Sequence, residues 1–112
     1  MTIFTKIINR EIPAKIVYED DLCLAFRDTN PQAPTHILVI PKKEIASMDT
    51  ATEADKEILG HVMLKAAQIA RDEGIAEDGY RLVINTNAYA GQTVFHIHVH
   101  IVGGRPLEWP PG

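Results

Sequence analysis

Three of the five histidines in this 112-residue chain fall at alternate positions of one short run, Phe95-His96-Ile97-His98-Val99-His100-Ile101. Side chains in a β-strand point to opposite faces with period two. The alternation predicts Phe95, Ile97, Val99 and Ile101 in a core, with His96, His98 and His100 lining the other face about 6.6 Å apart. A plain solvated surface is served as well by Lys, Thr or Glu, without coupled titration. Like-charge repulsion opposes protonating all three rings, so the row should share few protons near neutral pH. Such a row can hold a neutral nucleophile or base beside a proton donor.

Two chemistries fit the row. His-x-His on a strand can hold zinc, with His36 or His100 as a third ligand. Alternatively, an imidazole can attack phosphorus and carry a phosphoryl or nucleotidyl group. The preceding loop, Gly91-Gln92-Thr93-Val94, offers backbone N–H groups and a hydroxyl that suit phosphate oxygens. Zinc ligands are commonly backed by carboxylates, and none lies nearby in the sequence.

Elements elsewhere must bring partners to this row. Ile3 to Ile8 has the apolar spacing of a short helix, stopped before Pro13. Ile16 to Tyr18 and Leu22 to Phe26 read as a hairpin around Glu19-Asp20-Asp21, and His36 to Ile40 as a strand buried on both sides. Asn30-Pro31-Gln32-Ala33-Pro34 must be a loop, because proline lacks a backbone donor. The long helix runs from about Thr52 to about Glu73, with Thr50 and Thr52 as capping-box candidates and Gly74 at its C-terminus. Leu59, Val62, Met63, Ala66, Ile69 and Ala70 form its apolar stripe, and His61 falls on its polar, solvated side. Tyr80 to Thr86 and Val94 to Val102 are the last two strands. These elements predict an α+β fold with an antiparallel sheet of about five strands.

Composition limits the partners. The net charge is −4, and no basic cluster exceeds Lys42-Lys43, which argues against bulk nucleic acid. The single cysteine, Cys23, lies in an apolar run and reads as a buried core side chain in a reducing compartment. No run is long enough for a membrane span and no signal-peptide pattern opens the chain, so a cytoplasmic location is expected.

The segment His96 to Val102 resembles the His-x-His-x-His motif of the histidine-triad superfamily of nucleotide hydrolases and transferases. Asp28 to His36, Ile37 to Lys43, Asp78-Gly79-Tyr80-Arg81, Gly103-Gly104-Arg105 and Trp109-Pro110-Pro111-Gly112 extend the resemblance, to the HINT branch, over nearly the whole chain. The resemblance implies a histidine-triad-like fold spanning residues 1–112 as one domain, with 103–112 as a tail reaching toward a dimer partner. Two copies would join their sheets into one of about ten strands, partly through Val83 and the apolar side of the long helix. Trp109 would pack on the partner subunit.

The implied activity is hydrolysis of the P–N bond of purine nucleoside 5′-phosphoramidates, such as those of AMP, without metal or cofactor. His98 would be the nucleophile and His96 an orienting residue. His100 would support His98 or contact the phosphate, and His36 would lie near the leaving group. Asn85, Gly91, Gln92, Thr93 and Val94 match phosphate contacts, with Thr93 where the family commonly has Ser. Asp28 matches the acceptor for ribose hydroxyls. Ile3, Phe4, Phe26 and Leu38 match the base pocket, where Thr29 replaces a usual Ile, and Phe95 replaces a Tyr. Dinucleoside polyphosphate hydrolysis and a nucleotide-binding module with little turnover are the alternative readings.

Overall fold

Strands rich in branched apolar residues are separated here by turns whose polar side chains satisfy the backbone, and the chain condenses around one twisted sheet. The computed structural model describes residues 1–112. Helix α1 spans Ile3–Ile8 and helix α2 Lys56–Asp72, and the strands are β1 Ile16–Glu19, β2 Cys23–Arg27, β3 Thr35–Pro41, β4 Tyr80–Val83 and β5 Val99–Gly103. The sheet order is β1-β2-β3-β5-β4, and every neighbouring pair is antiparallel. This is the expected α+β architecture, with one long helix and a short N-terminal one. No helix is long and apolar enough to cross a membrane.

Period-two alternation gives the sheet two unlike faces. Cys23, Ala25, Ile37, Val39, Val99 and Ile101 pack against Val62, Ala66, Ile69 and Ala70 of α2. On the opposite face Leu24, Phe26, Leu38 and Ile40 lie against Phe4 and Ile7 of α1. The apolar side of α2 thus packs on the chain's own sheet, while Leu64 on the same helix stays 74% exposed. Its buried stripe is also narrower than expected, since Met63 stays 38% exposed.

Helix ends follow hydrogen-bond accounting. Thr52 accepts from the Ala54 N–H while Asp55 accepts from the Thr52 N–H, a capping box that opens a short 3-10 turn before α2. Thr50 instead pairs with the backbone of Ser47, so only one of the two expected caps forms. At the other end Gly74 takes φ +78°, and the N–H groups of Gly74 and Ile75 reach back to Arg71 and Ala70. Ile75 then drops into the core.

Asp20 stitches the hairpin to the helix. One carboxylate oxygen accepts from the Leu22 and Cys23 N–H groups, and the other from the Tyr18 hydroxyl and from His61 at 2.6 Å. His61 is therefore half-buried and paired rather than solvated, because the hairpin folds over that flank of α2. Burial alone would raise the Asp20 pKa; these hydrogen bonds overcome it and hold the carboxyl well below the usual range. Cys23 is fully buried, and burial pushes its thiol up to about 12, as an inert core residue requires.

The last two strands are shorter than expected. The ladder starts only at Val99, because Ile97 gives its N–H to Ile45 outside the sheet. Phe95 consequently escapes the alternation and is 49% exposed, while His96 is completely buried. Strand β4 ends at Val83, paired with His100, rather than at Thr86. At the far end Gly103 belongs to β5, so the tail begins at Gly104.

Candidate active site

Cross-strand register decides which side chains meet. On the α1 face Leu38 stands opposite both Phe26 and His100. Two residues further along their strands, Asp28 and His36 continue that face, and the Asp28 N–H bonds the His36 carbonyl. His98 lies just before β5, its ring centroid 5.0 Å from that of His100 and 4.9 Å from that of Phe4, edge-on. The structure thus gathers His36, His98, His100 and Asp28, residues up to 72 positions apart, by sheet pairing alone.

The loop before β3 is folded tightly back. Gly104 holds φ +92°, and a Cβ there would sit 2.9 Å from Pro34, so only glycine lets the tail cross so closely. Arg105 donates to the Gln32 carbonyl at 2.9 Å, and the Asn30 N–H donates to Asp28 at 2.8 Å. These ties aim the Gln32 N–H at Nδ1 of His36, 3.0 Å away.

A backbone N–H can only donate and a carbonyl can only accept, so each ring's protons can be assigned from its partners. His36 accepts at Nδ1 from Gln32, which places its proton on Nε2. That nitrogen donates to Nδ1 of His100, 2.9 Å away, with a carboxylate oxygen of Asp28 3.4 Å from the same Nε2. His100 accepts at Nδ1 and carries its own proton on Nε2. This buried Nε2 has no partner in the chain. Burial, followed by the neighbouring rings of His98 and His36, lowers the His100 pKa to about 4 and keeps it neutral.

His98 is set the other way round. Its Nδ1 donates to the His96 carbonyl at 2.8 Å, so the lone pair resides on Nε2. His96 donates from Nε2 to the Pro41 carbonyl at 2.8 Å, and burial depresses its pKa too. One bare imidazole lone pair and one unspent imidazole N–H therefore stand side by side. This arrangement suits nucleophilic attack with a hydrogen-bond donor for developing charge.

The phosphate loop is braced by Gln92. Its side-chain oxygen accepts from the Asn87 N–H, and its nitrogen donates to the Ala46 and Val94 carbonyls. Gln92 is buried, and its own N–H bonds the Asn87 carbonyl, so its side chain and its N–H are engaged within the chain. The N–H groups of Thr93 and Val94 are not used in this way. Gly91 and Thr93 are exposed, while Asn85 lines a separate groove with Tyr89 and Leu107 beside the tail.

Of the expected base-pocket residues, Phe4, Phe26 and Leu38 are buried together, and Ile3 is half-exposed. Thr29 lines a cavity of about 610 Å³ with Asp28, His36, Pro31, Ala14 and Lys15. Trp109 is 81% exposed, with the Arg81 guanidinium 6.0 Å from its ring. Sequence reasoning missed the partners Gln32, Pro41 and Thr2, two of which act through backbone groups that leave no residue-type signal. Thr2 was findable as a helix cap preceding α1.

For the zinc alternative, His96 faces Pro41 and Thr2 rather than His98. Asp28, His36 and His100 do cluster, with one ligand atom of each within 4.8 Å of the others, and are the residues of the site that could hold an ion.

A HIT domain profile matches residues 9–107. The chain belongs to the HIT domain family. It is 64% identical over 111 residues to an uncharacterized HIT-like protein of Synechocystis, covering 99% of this chain and 96% of that one. It is 58% identical over 106 residues to the purine nucleoside phosphoramidase of Escherichia coli K12, covering 95% and 89%. The HIT family hydrolase of Legionella pneumophila superposes with TM-score 0.98 at 51% identity, each chain covered completely. A histidine triad nucleotide-binding protein from Candida albicans keeps TM-score 0.84 at 27% identity, over 98% of this chain and 83% of that one.

The depressed pKa of His100 gives this HIT protein a particular acid response. Between pH about 6.5 and about 4 the unfolded chain binds a proton at this histidine that the folded chain refuses. Stability therefore falls as pH drops through that window, by up to about 3 kcal/mol from this residue, and levels off below it. Urea unfolding at pH 7.0, 5.5 and 4.5 checks this, and a His100→Asn variant should lose less stability over the same interval.

Proposed function

We propose that this HIT hydrolase is a purine nucleoside phosphoramidase working through a nucleotidyl-His98 intermediate. The observation that carries the reading is the opposed pair of rings, His98 with its Nε2 lone pair free and His100 with its Nε2–H free. Nε2 of His98 attacks phosphorus, an N–P bond forms, and the P–N bond to the amine breaks. The departing nitrogen accepts a hydrogen bond from the Nε2–H of neutral His100 and takes its proton from solvent, since a neutral imidazole that gave up its only ring proton would be left as an imidazolate. Water then attacks the nucleotidyl-histidine, releases its proton to solvent, and the nucleoside monophosphate leaves with His98 neutral again. Dividing the displacement into two steps replaces one difficult barrier with two lower ones.

A phosphoryl transition state asks for in-line placement and donors to its equatorial oxygens. The N–H groups of Thr93 and Val94, the Thr93 hydroxyl and the His100 Nε2–H can supply them around a singly charged substrate, with no cofactor needed. Gly91 allows the loop to close up, and Gln92 acts by bracing it. Asp28 accepts from the ribose hydroxyls, and the base lies by Ile3, Phe4, Phe26, Leu38 and Thr29. His36 holds the His100 tautomer, and His96 orients His98 through its carbonyl.

In the same reading the enzyme is a cytoplasmic two-fold dimer. Strand β4 is a sheet edge with Val83 half-buried on it, and Trp109 offers a large apolar surface. The deciding assay compares adenosine and guanosine 5′-phosphoramidates with diadenosine triphosphate, with and without chelator. Fastest turnover on the amidates, indifferent to chelator, is expected. Preference for the polyphosphate, or tight nucleotide binding with no turnover, overturns the assignment.

A further inference from the structure

One polar cluster lies outside the reacting residues. Thr2, ahead of α1, places its hydroxyl 3.0 Å from Nδ1 of His96, beneath the triad. The same hydroxyl oxygen accepts from the Thr5 N–H as the helix cap, and Thr5 in turn donates to Glu44. His96 is completely buried, and its Nε2 donates to the Pro41 carbonyl, so neutral His96 has only a lone pair on Nδ1. Thr5 already spends its hydroxyl proton on the Glu44 carboxylate. The Thr2 hydroxyl then has two acceptors in reach, Thr5 Oγ1 at 3.2 Å and His96 Nδ1 at 3.0 Å, and the buried imidazole nitrogen, which has no other donor, is the one that needs the proton.

We propose that Thr2 is a positioning residue for the nucleophile, fixing His96 as the Nε2–H tautomer so that the His96 carbonyl stays aimed at Nδ1 of His98. The hydrogen bonds form one directed line: Thr2 O–H to His96 Nδ1, His96 Nε2–H to Pro41, and the His96 carbonyl receiving the His98 N–H. With both edges of the ring held, the peptide bearing that carbonyl cannot turn. Helix α1 adds a second tie, since Phe4 touches the rings of both His96 and His98. The cap and the triad thus share one hydroxyl. The effect on turnover rests on the phosphoramidase reading, whereas the effect on the His96 ring does not.

Three variants separate orientation from helix capping. Thr2→Ser keeps both functions, Thr2→Val removes both, and Thr2→Asp keeps a cap but replaces the donor with an anionic acceptor. Nitrogen NMR of the histidine rings reads His96 directly, independent of any substrate. Wild type and Thr2→Ser should show a protonated Nε2 and a bare, hydrogen-bonded Nδ1. Thr2→Asp should protonate Nδ1 and raise the His96 pKa while α1 persists. Turnover of an adenosine phosphoramidate should fall in kcat about tenfold for Thr2→Val, as expected when a buried acceptor loses its partner, with KM little changed and with rescue by Ser. An unchanged His96 signal in Thr2→Val and Thr2→Asp overturns the proposal, as does equal kcat in Ser and Val variants of an active enzyme. If no variant, wild type included, turns over amidates, the function assignment fails, and the ring signals alone decide the role of Thr2.

Discussion

Alanine at position 98 should abolish turnover of adenosine 5′-phosphoramidate, by about 10⁴-fold or more, with the thermal melt nearly unchanged. A loss of that size is what removal of a covalent nucleophile entails, because no other group can form the intermediate. His36 and His100 are committed to each other and His96 to Pro41 and Thr2, which leaves His98 with the free lone pair. Stability should be spared because His98 precedes the ladder and is only partly buried. Its one hydrogen bond in the chain goes to a neighbouring carbonyl, which water can satisfy once the ring is gone. Quenched-flow mass analysis supplies the direct check. Wild type should gain one nucleotidyl group on the peptide bearing His98, and the alanine variant none. Substantial residual turnover, or an adduct on another histidine, would refute the assignment of the nucleophile.

The second large effect belongs to the pair behind it. Removing the His100 ring should lower kcat about 10²- to 10³-fold, the range for loss of a positioned hydrogen-bond donor to developing charge. His36→Ala should cost nearly as much although its ring reacts with nothing, because it dictates which His100 nitrogen carries the proton. Without His36, His100 can place its proton on either nitrogen, and the donor facing the substrate is no longer assured. The double variant should be scarcely slower than either single one, since the two rings act as one unit. Additive losses would mean separate roles, and a change in KM alone would reduce both to binding. An amidate of a more acidic amine tests that hydrogen bond directly. Such a leaving group needs less assistance, and the His100 defect should shrink with it.

Much of this was readable before any coordinates. A continuous apolar run placed His36 and Leu38 on a doubly buried strand, and the Thr52-to-Asp55 spacing located the start of the long helix within a turn. The resemblance also named the residues that the sheet gathers. What failed was the assumption that a histidine run remains a strand because its residues alternate. Period two describes backbone geometry alone, whereas each imidazole also needs a donor or acceptor for both nitrogens. His96 finds its partners beneath the sheet, so the chain dips inward there and Phe95 is expelled to the surface. Gln92 shows the same limit. Its matching position suggests a contact with phosphate, but its bonds to Asn87, Ala46 and Val94 follow from a loop conformation that no local pattern encodes. His61 looked solvated on a helical wheel, which cannot show a hairpin folding over it from 41 residues away.

The exposed indole in the tail gives the protein its own optical gauge. Trp109 is the sole tryptophan, so the indole emission comes from one ring. On an isolated chain that ring is largely wet and should emit toward the red, weakly perturbed by the nearby Arg81 guanidinium. Any surface that settles over the tail will shift the emission to the blue and shield it from iodide. A dilution series followed by fluorescence alone, with no label attached, therefore reads the concentration at which the tail is covered, and does so without consuming substrate.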